Sequence, residues 1–342
     1  MREEVGIGII GAGPGGAALA KAAHAVKEAR LVSVVASCEE HSRVASEQLG
    51  AERWHPDLDA LLGDPEVQAV CVASPNHLHA AHTLAAVKAG KQVLCEKPMA
   101  TVLADADAMI AAAHEASVCL MLGFTERFNS PFIQAKREIE RGRIGRPVMI
   151  WAKRGHPPNR DDWRLNRQNS GDLLVHNAGH NIDLMLWMVG SPVQRVYAEM
   201  DSLVVPPDQM SDSAAAVLRF ENGAIGVLVE VRMQPKTMPM IPDRSMEIMG
   251  TEGLITLDLL RQPMAVVDRS GWRFQDVLTW PEEGEGMGGA VEKEMRHFVE
   301  CILEGREPLV GGLEGRQALE VALACQMARN SGRAVTLPLP SE

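Results

Sequence analysis

Val5-Gly6-Ile7-Gly8-Ile9-Ile10-Gly11-Ala12-Gly13-Pro14-Gly15-Gly16 decides how this chain is read. A short apolar run, Val5–Ile10, ends in glycines spaced Gly11-x-Gly13-x-x-Gly16, and an Ala-rich stretch follows from Ala17 to about Ala29. Strand, glycine turn and helix in that order are the context that gives this spacing meaning. Gly11 permits the tight turn out of the strand, Gly13 lets the backbone approach a pyrophosphate, and Gly16 lets the helix pack closely on the strand. Pro14 is tolerated in the loop or the first helical turn, where no N–H is needed. The helix then presents free N–H groups and the positive end of its dipole to a phosphate.

Outward from this segment, the first ~125 residues alternate strand and helix, the pattern of a parallel sheet. Strands are expected at Val5–Ile10, Leu31–Ala36, Ala69–Ala73, Gln92–Cys95 and Val118–Gly123. Helices are expected at Ala17–Ala29, Glu40–Leu49, His79–Ala89 and Ala104–His114, with Trp54–Gly63 as a short connection. The strands are near-continuous apolar runs, as suits strands covered on both faces.

After a helix near Pro131–Arg141 the pattern changes. Val148–Lys153 reads as a strand, a polar loop runs from Arg154 to Gly171, and a helix covers about Asn177–Val189. Strand candidates follow at Val193–Met200, Ala214–Phe220, Ala224–Val231, Met246–Met249 and Gly253–Leu259. Asn222-Gly223 between two of them is a strong hairpin signal. Helices near Val291–Glu304 and Leu313–Asn330 come last, and the Pro- and Met-rich stretch Arg232–Arg244 is expected to be a mobile loop. The expected fold class is α/β: an N-terminal doubly wound parallel sheet over residues 1–125, then an α+β domain over 126–342 with a mostly antiparallel open sheet.

Composition narrows the function. The 342 residues favour two domains. A net charge of −11 argues against a nucleic-acid partner, which asks for a basic face. No apolar run approaches the ~20 residues that span a membrane, and the first residues lack a signal-peptide layout, so a cytoplasmic location is expected. The six cysteines form no C-x-x-C pair, which sets aside a disulfide framework or a zinc site. Eighteen methionines against six phenylalanines and one tyrosine suggest a core filled by thioethers.

Two stretches are placed to work with the glycine loop. In dinucleotide folds a carboxylate ~20 residues beyond the glycines holds the adenosine ribose. Here that place is Ser37, able to bond a 2′-hydroxyl or a 2′-phosphate, with Arg43 one or two turns on and Glu39 and Glu40 beside it. NAD and NADP both stay open, with a lean to NADP. Ser74-Pro75-Asn76-His77-Leu78-His79 follows the third strand at its carboxyl end, where ligands bind in open α/β sheets. Asn76 and His77 are candidates to touch the cofactor, and Asn76 is equally a candidate helix cap.

The chemistry-bearing segments are Glu96-Lys97-Pro98 and the stretch from Ser170 to Asp183. Lys97 follows the fourth strand's carboxyl edge, facing the cleft expected between the domains, and Pro98 holds it out of helical geometry. It can polarise a substrate oxygen or lower a neighbouring histidine's pKa; a plain surface pair with Glu96 is the other reading. His176 and His180 are four apart, and His180 and Asp183 three apart, spacings that share one face of a helix. An imidazole titrates near neutral pH and suits acid–base work. Asp183 either orients His180 or pairs structurally. No H-E-x-x-H motif or third ligand accompanies the pair, so no metal is expected.

Taken together, these motifs resemble the Gfo/Idh/MocA family of sugar and polyol oxidoreductases. The carriers are the Gly11–Gly16 loop, Ser74–His79, Glu96-Lys97-Pro98, Arg127-Phe128 and Gly179-His180-Asn181-Ile182-Asp183, with Glu304–Pro308 and Ser331–Val335 near the end. The resemblance implies an NAD(P)-binding Rossmann domain and a C-terminal domain whose open sheet mediates homodimers or homotetramers. It implies that His180 takes a proton from a substrate hydroxyl while hydride passes to nicotinamide, and that Lys97 positions the oxygen. Gly11, Gly13, Pro14, Gly15, Gly16, Ser37, Ser74, Pro75, Asn76, His79, Glu96 and Lys97 are the implied cofactor residues. Arg127, Arg154, Trp163, Arg164 and Asn177 are the implied substrate contacts. Family dehydrogenases often carry Asp four residues before the catalytic histidine, where this chain has His176, so the proton relay is expected to differ. Two other readings stand beside the dehydrogenase: redox-assisted glycoside hydrolysis on tightly held NAD, and a non-catalytic cofactor-binding sensor.

Overall fold

The computed structural model describes residues 4–158, 163–206, 209–235, 237–238, 242–259, 264–268, 271–274, 276–283 and 286–340. They form two compact units. One comprises the residues up to Phe128 together with Leu278–Arg316; the other comprises Asn129–Val277 together with the residues from Gln317 onward.

In the first unit the chain runs β1 (Val5–Ile10), α1 (Pro14–Ala25), β2 (Ala29–Val35), α2 (Glu39–Gln48), β3 (Arg53–Trp54), α3 (Leu58–Gly63), β4 (Ala69–Val72), α4 (His79–Lys88), β5 (Gln92–Glu96), α5 (Leu103–Glu115) and β6 (Leu120–Gly123). The six strands pair in the order β3-β2-β1-β4-β5-β6, every pair parallel. Chain order reverses beside β1, so the exits of β1 and β4 diverge at the crevice where such sheets bind ligands. Every residue of β1, β4 and β6 is buried. The sequence reading placed no strand at Arg53-Trp54; two exposed residues on the sheet edge carry no alternation to detect. The helix α1 starts at Pro14, three residues before the expected Ala17, because proline's fixed φ suits the first helical position.

The second unit holds α6 (Ser130–Glu140), β7 (Pro147–Gly155), α7 (Arg167–Ser170), α8 (Asp172–His176), α9 (Gly179–Val189), β8 (Val193–Asp201), β9 (Ser213–Phe220), β10 (Ile225–Val231), β11 (Asp243–Gly250) and β12 (Leu254–Asp258). With the short strand Val335–Thr336 they form one sheet in the order β12-β11-β7-β10-β9-β8-(Val335–Thr336). Only β7 and β10 are parallel; the other pairs are antiparallel. Asn222-Gly223 makes the expected hairpin turn, with Gly223 at φ +89°. One face is closed by α9, which packs on β7 and β10, whose Ile150, Ala152 and Leu228 are buried. The opposite face carries the cross-strand row Tyr197–Val217–Val227–Trp151, in which Tyr197 and Val217 are 40% and 49% exposed.

Among its described residues the stretch Arg232–Arg244 is irregular, as expected of a loop, up to the start of β11, and it is fastened at both ends. Arg232, Asp243 and Arg244 are buried, and β11 starts at Asp243. The Arg232 amide donates to Asp212 O, the Gln234 amide donates to His156 O, and the Gln234 side chain donates to Asp243. Prolines mark where regular structure stops, but they do not report hydrogen bonds made to distant strands. Residues 236 and 239–241 lie outside the described set.

Candidate active site

The glycine loop fits a phosphate-bearing cofactor by what its neighbours leave room for. Gly11 sits at φ +105°, and a Cβ there would meet Ala73 O at 2.6 Å. A Cβ on Gly16 would meet Gly11 O at 1.8 Å, so only glycine lets α1 close onto the β1 exit. A Cβ on Gly13 would meet nothing within 4 Å. Gly13 is the N-cap of α1 and makes no side-chain cap bond, and Pro14 follows at the first helical position. The open space therefore lies over the end of the helix whose N–H groups favour an anion.

Ser37 lies just past β2, with Oγ 3.0 Å from His41 Nδ1. Arg43 is held by Glu40 at 2.8 Å and Glu47 at 2.7 Å. The one cation considered for a 2′-phosphate thus sits between two carboxylates of its own helix.

The Ser74 loop and the Lys97 loop are fastened together by His79. Its Nδ1 lies 2.7 Å from Pro98 O and its Nε2 lies 2.7 Å from Ser74 O. The ring is 1% exposed, so no nitrogen is left for a ligand, and its role is to staple two loops. Ser74 Oγ contacts His82 Nδ1 at 2.9 Å. Asn76 opens a short 3₁₀ turn, Asn76–Leu78, whose N-cap is Pro75 and which has no side-chain cap bond. Asn76 is 3% exposed at the β4 exit.

Glu96 ends β5, and its Oε2 accepts the Lys97 backbone N–H at 3.1 Å. Its carboxylate also lies against the glycine loop: a Cβ on Gly15 would stand 3.8 Å from Glu96 Oε1. Burial pushes the Glu96 carboxyl above the usual range, against the pull of the Lys97 ammonium. The Lys97–Pro98 bond is cis. Arg127 belongs to this unit too, in the 3₁₀ turn Thr125–Phe128; it is 5% exposed and donates to Leu309 O at 3.4 Å.

In the second unit the predicted residues gather around the α8–α9 junction. His176 ends α8 and His180 stands in the first turn of α9, with the chain breaking helix at Asn177-Ala178. His176 and His180 thus stand on two successive helices rather than on one. His180 and Asp183, on the same helix, are 6% and 1% exposed. Trp163 packs edge-on against His176 at 5.8 Å, and Arg164 stands 5.6 Å over the Trp163 ring. Arg154 on β7 is 6% exposed and donates to His156 Nε2 at 3.1 Å.

The sequence reading missed the polar partners behind this junction. Arg232 donates to Asn177 Oδ1 at 2.8 Å, and Asn181 donates to Glu230 Oε1 at 3.0 Å, all four residues being buried. Glu230 and Arg232 continue the inward alternation of β10, where apolar residues were expected; a charged residue at an inward position was the available signal. Among the described residues no group of His, Cys, Asp and Glu is arranged to hold a metal, and no helix is long and apolar enough to cross a membrane.

Six parallel strands reversing at β1, a glycine loop at the β1 exit and a lysine at the β5 exit define a nucleotide-binding oxidoreductase fold. The comparisons agree. Residues 5–124 match an oxidoreductase family's NAD-binding Rossmann fold, and residues 136–337 match its C-terminal alpha/beta domain. A myo-inositol 2-dehydrogenase of Thermotoga maritima is 31% identical over 339 residues, 97% of this chain and 98% of that protein. The solved structure of a levoglucosan dehydrogenase with NADH and levoglucosan superposes with a TM-score of 0.85 at 26% identity, covering 98% of this chain and 99% of that one. GenD2 from gentamicin A biosynthesis, solved with NAD, gives 0.88 at 25% identity, covering 98% and 97%. The chain belongs to the Gfo/Idh/MocA family of oxidoreductases.

Proposed function

We propose that this protein oxidises a secondary hydroxyl of a cyclitol or sugar, with NAD as the hydride acceptor. The observation that carries the reading is the Glu96-Lys97-Pro98 loop, stapled through His79 to the β4 exit and set against the glycine loop. NAD, when bound, supplies the two-electron acceptor. Gly11, Gly13, Gly15 and Gly16 would hold its pyrophosphate, and Ser37 its adenosine ribose. The choice of NAD over NADP is supported by Arg43, whose guanidinium is committed to Glu40 and Glu47, and by the negative charge of Glu39 and Glu40 at the β2 exit.

Lys97 holds the substrate oxygen, and His180 takes the hydroxyl proton as the C–H hydride leaves. An imidazole is a fit acceptor because it titrates near the working pH. Asn177, fixed by Arg232, together with Arg154, Trp163 and Arg164, forms the substrate-facing set of the second unit. The curated relatives that act on inositols, with the levoglucosan dehydrogenase structure, support this substrate class. The uncovered face of the seven-stranded sheet is proposed to pair with a second copy.

The test is a parallel titration with NADH and NADPH read by nicotinamide fluorescence. Turnover of NAD with myo-inositol, scyllo-inositol and levoglucosan follows. NADH is expected to bind more tightly than NADPH, and one or more of the polyols to reduce NAD. Lys97→Met is expected to lower kcat by ~10²–10⁴-fold with NADH affinity near wild type. Wild-type kcat in that variant would reject the assignment. Cofactor that never exchanges would point to redox-assisted hydrolysis, and binding without turnover to a sensor.

A further inference from the structure

The last inward positions of β10 break the strand's apolar pattern. Leu228 is buried, as is Glu230 two residues on and Arg232 just past the strand's end. The row continues sideways: Glu230 stands opposite Arg154 of β7, which stands opposite Arg244 of β11, all three buried. Apolar residues of similar volume are often the cheaper choice at such positions, because a charge taken out of water is repaid only by well-placed partners.

Each of the two β10 charges grips one asparagine of the α8–α9 junction. Arg232 donates to Asn177 Oδ1 at 2.8 Å, and Asn181 Nδ2 donates to Glu230 Oε1 at 3.0 Å. The asparagines stand three residues before and one residue after His180. The spacings match, since two strand residues advance about 6.6 Å and four helical residues rise about 6 Å. The backbone stays near-helical through Asn177 and Ala178, and the Ile182 N–H donates to Ala178 O at 2.9 Å, so that rise carries across the junction. Polarity is set as well. A guanidinium only donates and takes the amide oxygen of Asn177, whereas a carboxylate accepts and takes the amide nitrogen of Asn181. A slide of α9 by one residue along β10 would break both bonds at once. Arg232 is braced in turn: it donates to Met210 Sδ at 3.6 Å, and its backbone N–H donates to Asp212 O at 2.7 Å.

We propose that Glu230 and Arg232 are positioning residues, a two-pronged clamp that fixes the register of the α8–α9 junction on β10 and with it the place of the His180 ring. The clamp acts on the reaction through His180, whose imidazole must stand within hydrogen-bond reach of the substrate hydroxyl as hydride leaves. That consequence rests on the role given to His180 above, whereas the clamp itself is read without any turnover.

The experiment records histidine-ring NMR spectra of the full-length wild type, Arg232→Met, Glu230→Leu and Glu230→Gln, with the His180 signal assigned by its loss in His180→Gln. Turnover and NADH affinity are measured on the same samples. Arg232→Met and Glu230→Leu are each expected to move the His180 signal, to leave that of His79 in place and to lower kcat by ~10–100-fold, with NADH affinity near wild type. Glu230→Gln keeps an acceptor for Asn181 and is expected to lie much nearer wild type in both signal and kcat. A lower melting temperature with the His180 signal and kcat unchanged overturns the proposal, because support of the fold alone would do that. A Glu230→Gln variant as impaired as Glu230→Leu overturns it too. A moved His180 signal in the variants, with no polyol turned over by the wild type, supports the clamp and rejects the function read above. If either apolar variant does not fold, Asn181→Ala, which removes the Glu230 bond from the helix side, is held to the same two criteria.

Discussion

Burial pushes the His79 imidazole down to about 4, against the two carbonyls that favour its charged form. Near pH 7 the ring is neutral in the fold and donates to one of the two carbonyls at a time. The sign of its pH dependence follows. Above the ordinary value of 6.5 the ring is neutral folded or unfolded, and its contribution to stability is fully present. As pH falls from 6.5 towards about 4, the unfolded ring takes a proton that the folded ring refuses, and stability is lost. The loss is on the order of 3 kcal/mol at most. Glutamine at this place offers a donor but no titration. The expected outcome is therefore that urea unfolding shows a smaller acid-induced fall for His79→Gln than for wild type between pH 7 and pH 4.5; equal falls would remove His79 from the acid sensitivity. The histidine was legible as a cofactor-site residue from its place after β4. Its use as a staple was not, because Pro98 lies nineteen residues away and only the fold brings the two together.

At the scale of elements, β1, the glycine loop and α1 separate two roles that the motif spacing runs together. Gly16 serves the fold, since a Cβ there would lie 1.8 Å from a backbone oxygen that cannot give way. Gly13 has φ −69° and open space, so alanine fits the protein itself. Gly16→Ala is expected to lower stability by about 1–3 kcal/mol, read by urea unfolding. Gly13→Ala is expected to melt as the wild type does yet bind NADH at least tenfold more weakly, about 1.4 kcal/mol. Wild-type affinity in Gly13→Ala would show that the open space is not where the pyrophosphate lies. The long, periodic elements of this region were readable because apolar strands alternate with Ala-rich helices. The edge strand β3 and the break between α8 and α9 were not. Two residues carry no period, and the break at Asn177-Ala178 keeps near-helical dihedrals, with Gly179 opening α9 directly after it.

For the whole molecule, the outer face of the seven-stranded sheet sets the expected assembly. Tyr197, Val217, Val227 and Trp151 form one cross-strand row, and Met249 and Leu254 add to the same sheet at its far edge. Exposed apolar faces of this extent mark interaction sites. Val217 is 49% exposed, so a charge there is solvated in the isolated chain and stranded in an interface. The wild type is expected to run as a dimer or tetramer in size-exclusion chromatography with light scattering, and Val217→Asp to shift it towards monomer while keeping NADH affinity. A monomeric wild type would refute pairing through this face.

The sequence by itself determined the class of this protein. Glycine spacing, apolar strand runs and the Lys97 and His180 motifs are local properties, and local stereochemistry needs no tertiary partner to be read. Only the tertiary structure decided how each charge is used. It showed Arg43 committed to two glutamates, Asn177 held by Arg232, and Leu278–Arg316 packed with the first unit. It also placed Glu294 from that late segment where its carboxyl accepts from Thr125. A side chain's charge state depends on what surrounds it within a few ångströms, and those neighbours come from chain positions that no local pattern connects.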